Sequence, residues 1–144
     1  MEKMTNIYGG PNVGCMLGTA YQILVGDLGK ALNEANIDVT VPEYLILRSL
    51  YSRDGLQICE LSDMVGKDKG AVSRCVKGLV KKGLVNTEQV SHKCLKVVVS
   101  DKGRGIESGI MEVAQKQHNA LTSLLTPDER KMFISSLQKI IKHK

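Results

Sequence analysis

Aromatic residues are scarce in this chain, with no tryptophan, one phenylalanine and four tyrosines in 144 residues. Tyr8, Tyr21, Tyr44, Tyr51 and Phe133 cannot fill a core, which must come from Leu, Val, Ile, Met and Ala; the 42% hydrophobic content is enough for one domain. Long apolar runs are also missing. The most apolar early stretch, Cys15 to Val25, is interrupted by Thr19 and Gln22 and is too short to span a bilayer. It has neither a basic region before it nor a small-residue cleavage site after it, so we expect a cytoplasmic protein with no membrane partner. Cysteine pairs are absent too: Cys15, Cys59, Cys75 and Cys94 form no C-x-x-C, which removes the zinc ribbon and the thioredoxin-like site. Such a compartment disfavours disulfides, and Cys75 and Cys59 are expected to be small buried hydrophobes. Cys94 and His92 fall on one face of a strand, but two ligands do not make a metal site.

Enzyme signatures are equally missing. There is no Walker loop, dinucleotide fingerprint, Gly-x-Ser-x-Gly or His-Glu-x-x-His, and His92, His118 and His143 are scattered, the last two expected on the surface of terminal helices. Gly9, Gly10 and Gly14 follow no strand, so they are not a phosphate loop, and Met1 to Pro11 is expected to be a loose arm. We expect no catalytic residue, no metal and no cofactor.

What is present is charge in one place. Residues 58–104 hold ten basic side chains against five acids, and that surplus equals the whole net charge of +5. A field concentrated on one segment of an otherwise balanced chain suits a polyanion. Within it, Asp68 to Lys82 places Val72, Cys75, Val76 and Leu79 on one helical face. Gly70, Arg74, Lys77 and Lys81 fall on the opposite face, with Ser73 at the edge. Asp68 suits an N-cap and Gly83 a C′ stop, while Lys81 and Lys82 sit where the helix dipole favours cations. Upstream, Ile58, Leu61, Met64 and Val65 form a shorter apolar stripe that Gly66 ends. Two helices joined through a glycine turn predict a helix-turn-helix whose second helix faces a major groove. Beyond Gly83, Leu84-Val85 and the β-branched Leu95 to Val99 bracket a polar Asn86 to Lys93, predicting a hairpin and so a winged helix.

The segments VPEYLILRSLY (41–51), ICELSDMVGKDKGAVSRCVKGLVKKGLV (58–85), LKVVVSDKGRGI (95–106) and LTPDER (125–130) resemble the bacterial MarR family of transcriptional regulators. The resemblance runs from about Val13 to Lys142 and is most specific in AVSRCVKGLVKKGLV, which is similar to the family's recognition helix and its exit into the wing. It implies a homodimer bound to a palindromic operator on double-stranded DNA, usually a repressor released by a small-molecule effector or by oxidation. By position it implies that Lys69, Gly70, Ala71, Ser73, Arg74 and Lys77 face DNA, with Ser73 suited to phosphate and Arg74 to a guanine edge or a phosphate; Lys67 and Lys81, from the same basic segment, are expected to bind DNA beside them. An effector would be expected between the dimer helices and the DNA-binding lobe. The wing departs from the family pattern. Where an Asp-Arg-Arg run is common, this chain has Val90-Ser91-His92-Lys93-Cys94 in a shorter hairpin, leaving His92 and Lys93 as stand-ins. Lysine lacks arginine's planar fork, so minor-groove reading is expected to be weaker. Cys15 lies near the position of the reactive cysteine in the family's hydroperoxide-sensing branch, but the nearest aligned tyrosine positions, around Gly29 and Val41, are not tyrosine.

The fold class expected is mainly α (α+β): a winged helix-turn-helix with a two-stranded β wing, plus N- and C-terminal dimerisation helices. One domain would span residues 1–144, with the DNA-binding lobe over 40–100 and the dimerisation helices over 12–36 and 103–144. The helical stripes supporting this are Val13, Leu17, Ala20, Leu24, Leu28, Ala31 and Ala35; Ile106, Ile110, Val113, Leu121, Leu124 and Leu125; and Phe133, Leu137, Ile140 and Ile141. Thr126 with Glu129 makes a capping box ahead of Pro127 at a first helical position. Two other readings stay open: a thiol-based redox sensor using Cys15, and a winged-helix module that binds protein rather than DNA.

Overall fold

The computed structural model describes residues 11–143. The arm expected over residues 1–11 therefore lies, except for Pro11, outside the described residues. Helix α1 (Val13–Glu34) begins at Asn12, whose side chain accepts the Cys15 N–H at 2.9 Å. Its stripe is used only over the second half. Leu32 is fully buried and Leu24, Leu28 and Ala31 are half-buried, whereas Val13, Leu17 and Ala20 stay exposed. Helix α2 (Val41–Ser52) starts in a capping box formed by Thr40 and Glu43, and it buries Tyr44, Ile46, Leu47 and Leu50 at the centre of the core.

Strand β1 (Leu56–Gln57) leads into α3 (Ile58–Val65), which Gly66 ends at φ 69°, a left-handed conformation that glycine adopts without steric cost. Helix α4 (Lys69–Lys81) follows, and Gly83 at φ 74° turns the chain into the hairpin of β2 (Val85–Ser91) and β3 (Cys94–Val99). The wing carries its two expected strands, and a third joins them, because Leu56 and Gln57 pair antiparallel with Val97 and Lys96 to give the order β1-β3-β2. Two residues are too few for alternation to show in a sequence.

Helix α5 (Asp101–Gly105) and α6 (Glu107–Thr122) meet at Ile106, and α7 (Pro127–Lys142) starts in the expected Thr126–Glu129 capping box. The expected stripe from Ile106 to Leu125 is thus split between elements. Ile110 is fully buried, but Leu124 lies in the turn after α6 and is 80% exposed. Helix α6 packs along α1, and Leu32 and Ile110 join Leu47, Leu61, Val72, Leu79 and Val97 in one continuous core. Each such fully buried aliphatic side chain contributes about 1.5–3 kcal/mol of transfer free energy. Among the described residues no helix is long and apolar enough to cross a membrane.

Candidate nucleic-acid interface

Helix α4 is amphipathic in the manner its sequence predicts. Val72, Val76 and Leu79 are buried against α2 and α3, with Cys75 half-buried beside them. The other side presents Lys69, Gly70, Arg74, Lys77 and Lys81 to solvent, and Ala71 and Ser73 are half-exposed at its margin. Asp68 caps the helix by accepting the Ala71 N–H at 2.8 Å. Gly70 leaves space beside the first turn: a Cβ there would meet Asp68 Oδ1 at 3.2 Å and Arg74 Nη1 at 3.6 Å, so the guanidinium lies back over a backbone with no side chain. Lys67 is half-buried in the preceding turn, where its carbonyl accepts the Ser62 hydroxyl.

His92 and Lys93 form the two-residue tip between β2 and β3, and both are exposed. The register steps from Gln89↔Leu95 to Ser91↔Cys94, leaving Val90 as an extra, 56%-exposed residue in a bulge that Gln89 Nε2 braces by donating to the Ser91 carbonyl at 2.7 Å. The exposed basic side chains among those expected to face DNA therefore sit on two elements, the outer face of α4 and the wing tip, with Lys67 half-buried in the turn before α4.

Lys82 does not join them. Although it neighbours Lys81, its ammonium points inward, 2.6 Å from Glu43 Oε1 and 3.6 Å from Asp38 Oδ1. Burial pulls its pKa down, but the hydrogen bond and charge of Glu43, with Asp38 behind them, outweigh that and hold it above the ordinary lysine value. Sequence reasoning missed this pair. The T-x-x-E spacing of Thr40 and Glu43 marks a capping box, yet nothing local shows that the same carboxylate meets a lysine 39 positions away.

Burial pushes the Cys75 thiol up, the nearby Glu43 charge adds to that, and Lys67 and Arg74 only partly oppose it. A thiol held in its protonated form is a poor nucleophile. Cys59 is not buried as expected. As the second residue of α3 it lies off the Leu61 face, exposed, with Sγ 3.6 Å from Gln57 Oε1. Cys15 is exposed in the first turn of α1, and among the described residues no group of three His, Cys, Asp or Glu side chains could hold a metal.

Behind the lobe, α1, α2 and α6 line an open cavity of about 280 Å³. Leu24, Leu28, Leu45 and Leu121 supply apolar walls, and Arg48, Gln117 and His118 line it with polar groups. Arg48 Nη1 donates to the Tyr44 hydroxyl at 2.7 Å.

Residues 39–90, which contain the helix-turn-helix and β2 almost to its end, match the MarR family. The chain is 28% identical over 105 residues to the HTH-type transcriptional regulator TtmR of Methylorubrum extorquens (strain PA1), covering 72% of this chain and 53% of that protein. The chain thus spans about half the length of this curated relative. Its winged-helix fold is shared by S. aureus MepR in complex with DNA, at TM-score 0.84 and 16% identity over 92% of this chain and 97% of that one. It is shared as well by BpsR of Bordetella bronchiseptica, at TM-score 0.80 and 19% identity over 90% and 93%, a protein whose DNA binding is regulated by 6-hydroxynicotinic acid.

Proposed function

We propose that this protein is a transcriptional regulator that binds a palindromic operator as a homodimer, with α4 in the major groove and the wing on the flanking backbone. The observation that carries this reading is the exposed face of α4, where Lys69, Gly70, Arg74 and Lys77 stand free of protein partners among the described residues while the opposite face is buried. A rigidly seated helix with arginine and lysine on its free side fits the groove sterically and electrostatically. Arg74 is assigned to a base edge and Ser73 to a phosphate. Lys67, Lys69, Lys77, Lys81, His92 and Lys93 supply charge to the backbone, and Gly70 and Ala71 allow close approach.

The homodimer is supported by the apolar surface left on the terminal helices. Met132, Phe133, Ile134, Ile140 and Ile141 on α7, with Val13, Met16 and Leu17 on α1, are between 38% and 71% exposed. Two-fold symmetry would match two half-sites. The cavity between α1, α2 and α6 suits a small, mainly apolar effector whose acidic group faces Arg48 and whose binding would release DNA, the behaviour of a ligand-responsive repressor.

The test starts with DNA recovered from the organism's own genome by the purified protein. On that duplex and a scrambled one, Arg74→Ala should erase the difference in affinity, a loss of roughly 1–3 kcal/mol of discrimination, while Lys81→Ala should weaken both alike. An unchanged ratio in Arg74→Ala would remove α4 from base reading. Affinity that does not fall with salt would favour the protein-binding module instead.

A further inference from the structure

Glu43 is the one buried charged residue among the described residues, 6% exposed at the third position of α2. Its Oε1 accepts the Thr40 N–H at 3.0 Å and meets Lys82 Nζ at 2.6 Å. Its Oε2 lies against Gly78, where a Cβ would come within 2.6 Å. One carboxylate therefore touches the recognition helix and its C-cap at two points a turn apart, residues 78 and 82, and any side chain at 78 would displace it. The Lys82 carbonyl also accepts the Lys102 ammonium at 2.9 Å, which ties the same point to α5.

The rest of the seat of α4 is apolar. Val72, Val76 and Leu79 fix its depth, but hydrophobic contact is non-directional and by itself specifies roll and register less sharply than a directional bond does. A short, charge-assisted hydrogen bond in a buried setting is directional, and register is the best-attested use of a buried polar contact. Base reading needs its side chains held within about 0.5 Å. We propose that Glu43 is a positioning residue for DNA recognition: through Lys82 and Gly78 it sets the roll and register of α4 against α2, and so where Arg74 stands. This rests on the DNA-binding reading above. It also gives the effector cavity a route to the groove, since Val41, the first residue of α2, lines that cavity two residues before Glu43.

The experiment measures affinity for the selected duplex and for a scrambled duplex, across salt, in wild type, Glu43→Gln, Lys82→Met, the double variant and Lys82→Arg, with circular dichroism as the control for folding. Glu43→Gln and Lys82→Met should each weaken the selected duplex about tenfold or more, the size of a lost base contact, with scrambled binding and the salt slope unchanged. The double variant should lose no more than the worse single one. Lys82→Arg, which keeps the charge, should restore most of the discrimination, a rescue that general loosening of the fold would not give. If Lys82→Met does not fold, Glu43→Gln and Lys82→Arg still decide. A folded Glu43→Gln with wild-type discrimination overturns the proposal, as does a Lys82→Met whose salt slope drops by about one with discrimination intact, which would make Lys82 a phosphate contact. A wild type that prefers neither duplex overturns the DNA-binding reading before any variant is compared, and the positioning role with it.

Discussion

At the scale of single residues, titration behaviour follows from what each side chain touches. Tyr51 donates its hydroxyl to the Gly103 carbonyl at 2.7 Å, and burial, with the Glu107 charge adding and Arg104 opposing, pushes its pKa up to about 12. The folded protein thus holds the phenolic proton more tightly than the unfolded chain does, at about 10. The resulting stability is complete below pH of about 10 and is lost as pH rises through about 12. Lys82, also raised, acts in the same sense above the ordinary lysine value. Thermal melts from neutral to strongly alkaline pH should show this decline, and Tyr51→Phe should flatten it while lowering stability at neutral pH by about 1 kcal/mol for the lost hydrogen bond. An alkaline slope equal to wild type in Tyr51→Phe would place the titration elsewhere. The cysteines divide by the same physics: Cys15 and Cys59 should react with a soluble thiol reagent promptly, and half-buried Cys75 only slowly until the protein unfolds. Mass spectrometry of partially labelled protein reads the order directly.

At the scale of elements, α4 combines a seat that its sequence shows with an anchor that it does not. Removing the anchor's two halves should cost unequally. Lys82→Met leaves a buried carboxylate facing no cation, and we expect a loss of roughly 2 kcal/mol, below the 3–5 kcal/mol of a fully buried pair because 26% of the Lys82 side chain meets water. Glu43→Gln keeps the capping hydrogen bond and frees a lysine that can swing outward, for about 1 kcal/mol. Denaturant melts of the two proteins check the order, and a Glu43→Gln less stable than Lys82→Met would reverse the assignment of which partner is trapped. The elements that were legible have local signals: T-x-x-E at Thr126, Asp68 before α4, and the glycines after α3 and α4 all act within a few residues of the boundary they set. Strand β1 was not, since two residues gain their structure only by lying beside β3.

At the scale of the whole molecule, one core runs from the lobe into α1 and α6, yet large apolar side chains remain outside it on α1 and α7. Ile140 is 55% exposed, so Ile140→Asp should change the stability of a protomer by no more than about 0.5 kcal/mol. In a dimer that buries α7 the same carboxylate would be desolvated without a partner, which costs far more. Sedimentation should therefore find a folded monomer with operator affinity strongly reduced. A folded dimer that still binds the operator would move the interface off α7. In the homodimer proposed above, symmetry would matter to the site as well, because a palindrome needs two α4 helices at a fixed spacing, which the terminal helices rather than the lobe would set.

The sequence by itself determined the class of fold, both ends of α4, the end of α3, the start of α7 and the basic exposed face of α4. Each of these depends on periodicity, capping or turn chemistry, which operate over one or two turns of chain. Only the tertiary structure decided that Lys82 faces Glu43 while Lys81 faces solvent, that Cys59 is exposed while Cys75 is half-buried, and that Leu32, outside the expected stripe, closes the core beneath α1. Those outcomes depend on which surface another element happens to cover. Neighbouring residues of like chemistry carry no mark of that in the chain, because burial and ion pairing are settled between segments tens of residues apart.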